Sequence, residues 1–186
     1  MSDHFTKKTA VLIPCRNEET TISEVISGFN SAIPDAKIYV YDNASTDRTA
    51  QVAVEAGAQV TYETIPGKGH VVRRMFADID ADIYVISDGD STYHPSEAPL
   101  LIKTLLEGGF DMVAGARNDV TKNTSRTGHA FGNRAFNYLY KILFGSEFSD
   151  IFTGYRVLSK RLVKSFPAIS SGFEVEVELE VDSTSK

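Results

Sequence analysis

The sequence predicts an α/β protein: a mostly parallel sheet with helices on both faces, forming a single domain over residues 1–186. Three observations lead there. Short apolar runs of strand-forming residues alternate with helix-length segments. Gly and Pro punctuate these elements throughout, without repeats or low-complexity tracts. A chain of 186 residues at 42% hydrophobic composition is long enough for one well-buried core and too short for two independent ones.

The elements follow in order. Residues 9 to 13 (TAVLI) read as a buried strand, and Asn17 offers an N-cap, with Glu18 and Glu19 in the first turn of a helix running to about Ala32. Residues 37 to 41 (KIYVY) form a second strand, and "DNASTDRT" leads into a helix that stops at Gly57. A short strand near 58 to 62, the loop "TIPGKG", a helix from about 70 to 79 and the strand Ile83-Tyr84-Val85-Ile86 come next. Pro95 opens another helix that ends at Gly108-Gly109, and "DMVAGA" is a further strand. Near the end, "GFEVEVELEV" (172–181) puts five apolar residues on one face and four glutamates on the other, a period-two strand pattern.

Bulk properties narrow the function classes. A formal charge of −6 argues against a surface built to hold nucleic acid, whose footprint is basic. The single cysteine, Cys15, excludes an internal disulfide and a Cys-rich zinc site; with no histidine following nearby, it reads as a small buried residue at a strand end rather than a nucleophile. The N-terminus lacks a basic start followed by an apolar run, and no apolar window approaches about 18 residues. The expectation is a cytoplasmic chain that does not span a membrane. No motif bears on self-association, so a homo-oligomer stays open.

In sheets of this kind, ligands bind outside the C-terminal ends of the strands. The loops "PCRNEE", "YDNASTD", "PGKG" and "DGDST" are therefore expected on one rim. Asp88 and Asp90 repel each other unless a cation, a proton or a hydrogen-bond donor intervenes, and Gly89 between them permits a sharp turn. Hard cations such as Mg²⁺ and Mn²⁺ take carboxylate oxygens together with substrate phosphate oxygens. A turn with two solvated aspartates is the alternative, and the pair alone does not choose. A dehalogenase-type phosphatase, with Asp88 as nucleophile, needs a second acidic cluster downstream. The strand "DMVAGAR" ends in a basic residue where that cluster belongs. Neither a phosphate loop nor G-x-G-x-x-G is present. Lys68, between two glycines, either reaches a diphosphate or is a solvated loop lysine. Asp42, ending the second strand, either accepts from a base N–H or ribose hydroxyls or caps a helix, a role Ser45 or Thr46 fills better.

Taken together, "LIPCRNEE", "YVYDNASTDRT", "PGKGHVVRRMF", "DGDSTYHP" and "FTGYRVLSK" resemble the ordered motifs of family 2 glycosyltransferases with a GT-A (Rossmann-like) fold. The nearest branch is similar to the dolichol- and undecaprenyl-phosphate sugar transferases. The resemblance implies a nucleotide-binding half of about 8–90 and an acceptor half of about 91–182. It implies that Asp88 and Asp90 hold Mg²⁺ or Mn²⁺ against the diphosphate of a UDP- or GDP-linked sugar. Pro14, Arg16, Glu18 and Asp42 then surround the nucleoside, with Lys68 near it or the phosphates. The family continues beyond "SGFEVEVEL", where a helix begins, whereas this chain stops at Lys186 and its alternation reads as a strand. Two functions follow: a metal-dependent transferase, or a nucleotide-sugar-binding module with little turnover.

The acceptor side shows charge and texture more than a motif. Residues 117 to 141 carry Arg117, Lys122, Arg126, Arg134 and Lys141 against only Asp119, a local +4 in an acidic chain. An aromatic and aliphatic helix runs from Phe131 to Phe144. It is either an ordinary core helix or a surface helix in peripheral contact with the inner face of the membrane. In the second case Arg117 and Arg134 take the phosphate of a lipid-linked acceptor. Asp150 is the third catalytic candidate, positioning the acceptor or, for a sugar hydroxyl, acting as base.

Overall fold

Residues 10–13 and 83–86 are apolar at every position, a pattern that requires cover on both faces of a sheet. The computed structural model, which describes residues 7–115 and 154–165, shows that cover. The elements run β1 (Thr9–Cys15), α1 (Ile22–Ala32), β2 (Lys37–Asp42), α2 (Thr49–Glu55), β3 (Gln59–Tyr62), α3 (Lys68–Asp78) and β4 (Ile83–Ile86). After a 3-10 turn at Pro95–Glu97 come α4 (Ala98–Gly108), β5 (Met112–Ala114), β6 (Arg156–Ser159) and α5 (Lys160–Ser165). The six strands form one sheet in the order β3-β2-β1-β4-β6-β5. The first four pair in parallel, and β6 lies antiparallel to both β4 and β5.

The two-residue period of the strands divides the core into two layers. Val11, Ile13, Val40, Val85 and Val157 point to one face and pack with Ile22, Val25, Ile26 and Phe29 of α1. Ala10, Leu12, Tyr84, Ile86 and Leu158 point to the other, against Val71, Val72, Met75 and Phe76 of α3 and Leu162 and Val163 of α5. α1 presents its buried residues at helical spacing, so helix and strand periodicities meet in the first layer. Cys15 is buried in the same layer, and that burial pushes its thiol pKa up, as expected of an inert core residue.

Four details differ from the sequence expectation. α1 begins at Ile22 rather than after Asn17, because the segment before it is stitched to the loop after β2. The Asn17 N–H donates to Ser45 Oγ (2.9 Å), Asn17 Oδ1 accepts from the Thr46 N–H (2.8 Å), and the Glu18 N–H donates to Thr49 Oγ1 (2.7 Å). Asn17 spends its side chain across the gap and takes φ 59°, so it caps no helix. α3 starts two residues early, at Lys68, which moves that lysine from a loop to a helix N-terminus. Pro95 opens a 3-10 turn before α4. Finally, β6 was not anticipated as a strand: four residues of antiparallel pairing depend on partners 70 or more positions away. The 172–181 segment lies outside the described residues.

Candidate active site

The parallel strands β1, β2 and β4 all end on one rim, and their ladders continue a step beyond the regular strands. The Asn43 N–H donates to Cys15 O (2.9 Å) and the Ser87 N–H to Leu12 O (3.2 Å). The loops that follow enclose a cavity of about 400 Å³. Pro14, Arg16 and Glu18 line it from the end of β1, Lys68 and Val71 from α3, and Asp88 and Asp90 from the loop after β4. Six of the seven donor and metal residues expected from the sequence therefore meet in one place.

Asp42, the seventh, is not among the lining residues. It is 3% exposed, and its Oδ1 accepts from the Ser45 N–H at 3.0 Å. Its neighbour Asn43 lines the cavity and holds the loop that carries Lys68. Asn43 Nδ2 donates to the carbonyls of Glu63 (3.1 Å) and Ile65 (2.8 Å), while Oδ1 accepts from the Gly67 N–H (2.9 Å). With both ends of the amide used and the residue buried, Asn43 staples "TIPG" in place. Arg117, Arg134 and Asp150 lie outside the described residues.

Asp88 is held from two sides. Lys68 Nζ donates to Oδ1 at 2.9 Å, with the side chains 15% and 25% exposed. On the other side, the register that pairs Ile83 with Ser159 and Ile86 with Arg156 carries Gly154 opposite Asp88. A Cβ on Gly154 would stand 2.2 Å from Asp88 Oδ2. Gly154 is fixed in turn by its N–H, which donates to the buried Tyr93 hydroxyl at 2.7 Å. The sequence motif "FTGYR" contains this glycine, but nothing local in it reveals that it faces a carboxylate.

Gly89 also has a different reason to be glycine than a sharp turn. Its added Cβ would stand 2.7 Å from Cys15 Sγ, so close packing of the loop on β1 requires it. The left-handed residue is Ser91, with φ 59°. Asp90 Oδ1 accepts from the Thr92 N–H at 3.0 Å, closing that turn over Ser91.

Three carboxylates thus share one rim. Burial holds the Glu18 carboxyl above its usual pKa, and the charges of Asp90 and Asp88 push it the same way. Thr21 Oγ1 ties this side of the site together by donating to Gly89 O at 2.6 Å. Lys68 neutralises part of the negative charge. Among the described residues no group of three His, Cys, Asp or Glu side chains is placed to hold a metal by protein ligands alone. Two carboxylates with the remaining positions left to water and substrate oxygens is the donor set that suits Mg²⁺ or Mn²⁺ on a phosphate. The residues fit such an ion.

Comparison with known proteins agrees. The model of the glycosyl transferase family 2 matches residues 10–166. Protein RfbJ of Shigella flexneri is 54% identical over 121 residues, 64% of this chain and 94% of that protein. A dolichyl-phosphate hexose transferase of Haloferax volcanii is 28% identical over 163 residues, 88% of this chain and 71% of the relative. The crystal structure of glucosyl-3-phosphoglycerate synthase from Mycobacterium tuberculosis, in complex with Mn²⁺, UDP-glucose and phosphoglyceric acid, superposes with a TM-score of 0.81 at 28% identity. That match covers 97% of this chain and 66% of the synthase. Two further Haloferax volcanii relatives are matched over 57% and 44% of their lengths. The mostly parallel six-stranded sheet is that of the GT-A fold. The chain belongs to glycosyl transferase family 2.

Proposed function

We propose that the chain moves a sugar from a UDP- or GDP-linked donor to a polyprenyl phosphate, using Mg²⁺ or Mn²⁺ held by Asp88 and Asp90. The observation that carries this reading is the cavity lined by Asp88 and Asp90 after β4, Arg16 after β1 and Lys68 at the start of α3. The Mn²⁺ and UDP-glucose bound in the mycobacterial synthase support the donor side, and the dolichyl-phosphate hexose transferase relative supports the acceptor class.

The chain's own groups account for donor recognition. Lys68 and Arg16 offer cations to a diphosphate, and Pro14 and Glu18, with Asp42 at the end of β2, serve the nucleoside. A divalent ion at Asp88 and Asp90 supplies neutralisation of the charge that grows on the leaving diphosphate. The acceptor half, about 91–182, contributes Arg117 and Arg134 for the acceptor phosphate. A phosphate monoester is already anionic at neutral pH, so it attacks the anomeric carbon without a strong base, and Asp150 positions rather than deprotonates. The basic, aromatic 117–144 segment brings the protein to the inner face of a membrane as a peripheral contact. Among the described residues no helix is long and apolar enough to cross one.

The test is incubation with a panel of UDP- and GDP-sugars, a polyprenyl phosphate and Mn²⁺, followed by analysis of the lipid product. A sugar-linked lipid that forms in metal and not in chelator supports the reading. Transfer only to free sugars, abolished in Asp150→Asn, overturns the acceptor assignment. Metal-dependent donor binding without any transfer favours a binding module.

A further inference from the structure

Lys68 already holds one oxygen of a carboxylate proposed to bind a metal. Lys68 Nζ lies 2.9 Å from Asp88 Oδ1, and both side chains are largely withdrawn from solvent. The other carboxylate oxygen already fills the space left by the Cβ that Gly154 lacks, so the Gly154 backbone closes that side. Asp88 therefore cannot turn away from the lysine by rotating toward β6. Nor is Lys68 a freely roaming surface cation. It is the first residue of α3, and the peptide before it is anchored by Asn43 through the Gly67 N–H. An ammonium at hydrogen-bonding distance from Oδ1 weakens that oxygen as a metal ligand, because the two cations repel each other and draw on the same negative charge.

We propose that Lys68 is the resident counter-ion of Asp88, and that it must leave Oδ1 for a metal to bind there, with the donor's diphosphate as its new partner. This rests on the assignment of Asp88 and Asp90 as the metal-holding carboxylates. Lysine suits the exchange: its ammonium is a point charge on a flexible stem, able to move from carboxylate to phosphate without the fixed fork of arginine. Two things follow. In the absence of diphosphate, the ion pair opposes metal entry and keeps the carboxylates from holding ions unproductively. In its presence, lysine and metal both bear on the phosphates, and each ligand raises the affinity for the other by the same factor.

Simple bridging of metal to diphosphate also couples the two ligands, so coupling alone does not test the proposal. The distinguishing quantity is the affinity for metal without nucleotide. Mn²⁺ binding to the full chain is followed by the electron paramagnetic resonance signal of the free ion, first alone and then with UDP. Lys68→Met is expected to bind Mn²⁺ alone on the order of tenfold more tightly than the unsubstituted chain, and to show a smaller gain on adding UDP. Arg16→Met removes a cation that lines the same cavity from an exposed position, with no ion pair to Asp88. It is expected to leave the affinity for Mn²⁺ alone within about twofold. Lys68→Gln gives the same comparison with a polar side chain retained, and thermal melts confirm that each variant is folded. Metal affinity that does not rise in either Lys68 variant overturns the proposal, as does an equal rise in Arg16→Met. Absence of Mn²⁺ binding in every protein, with and without UDP, removes the metal site itself and the proposal with it.

Discussion

Replacing Gly154 by alanine separates the geometry of Asp88 from the stability of the fold. The new Cβ would stand 2.2 Å from Oδ2, 2.7 Å from Cγ and 3.0 Å from Oδ1 of Asp88. Since real Cβ contacts essentially never fall below 3.0 Å, the carboxylate or the β6 backbone must retreat by about 0.8 Å. The backbone is the harder part to move. Gly154 donates to the buried Tyr93 hydroxyl, and the segment after it is locked between β4 and β5. Asp88 is 25% exposed and has the cavity in front of it, so it swings away from its place, and for metal binding that displacement outweighs the release from Lys68. Overpacking costs about 1–3 kcal/mol in a closed core, and an escape toward solvent puts this case near 1. For a chain of this length that is a fall in Tm of about 2–4 °C. Displacing a catalytic group by about 1 Å costs on the order of a hundredfold in rate. The expected result is therefore a folded protein, slightly less stable, with metal binding and sugar transfer reduced far out of proportion to the melting change. Scanning calorimetry, Mn²⁺ titration and product analysis measure the three quantities. Undiminished metal binding in Gly154→Ala would refute the reasoning, and so would a loss of several kcal/mol in stability, because that would mean the backbone moved instead.

Two other substitutions probe the loops. Asn43→Ala leaves the Glu63 and Ile65 carbonyls and the Gly67 N–H without their side-chain partner, and is expected to lower stability by about 1–3 kcal/mol in denaturant titration. It should also weaken nucleotide binding by loosening the segment that carries Lys68. Glu18→Gln, measured in chelator, is expected to raise Tm at neutral pH. The native carboxyl binds its proton more tightly than the unfolded one, so the wild-type chain loses stability as pH rises from the usual glutamate range through the elevated folded pKa. The advantage of the glutamine variant should therefore vanish at low pH, where both states carry the proton; a gain independent of pH would show that the Glu18 charge is not the cause.

Much of the cavity lining was legible in the sequence because it depends on short-range signals. Apolar runs such as 83–86 announce strands covered on both faces, and the rule that parallel strands deliver their loops to one rim brought Pro14, Arg16, Glu18, Lys68, Asp88 and Asp90 together. What escaped depends on long-range pairing. Gly154 gains its meaning only from the β4–β6 register, and Asn43 only from the three backbone groups it reaches 20 to 24 residues away. Asn17 looked like a helix cap since its identity fits that role, but the neighbouring loop offered its side chain better partners. Asp42 ends its strand as expected; its burial and the bond it accepts from the Ser45 N–H depend on the loop after β2, which strand ends alone do not reveal.

The account turns on Asp88 and Asp90 holding a divalent ion against the diphosphate of a nucleotide sugar. Calorimetric titration of UDP- and GDP-sugars in Mn²⁺ and in chelator, on the unsubstituted chain and on Asp88→Asn and Asp90→Asn, tests it most directly. The account predicts that one donor binds at least about tenfold more tightly in Mn²⁺, and that either substitution abolishes the difference. Equal donor affinity in chelator and in Mn²⁺ would contradict it.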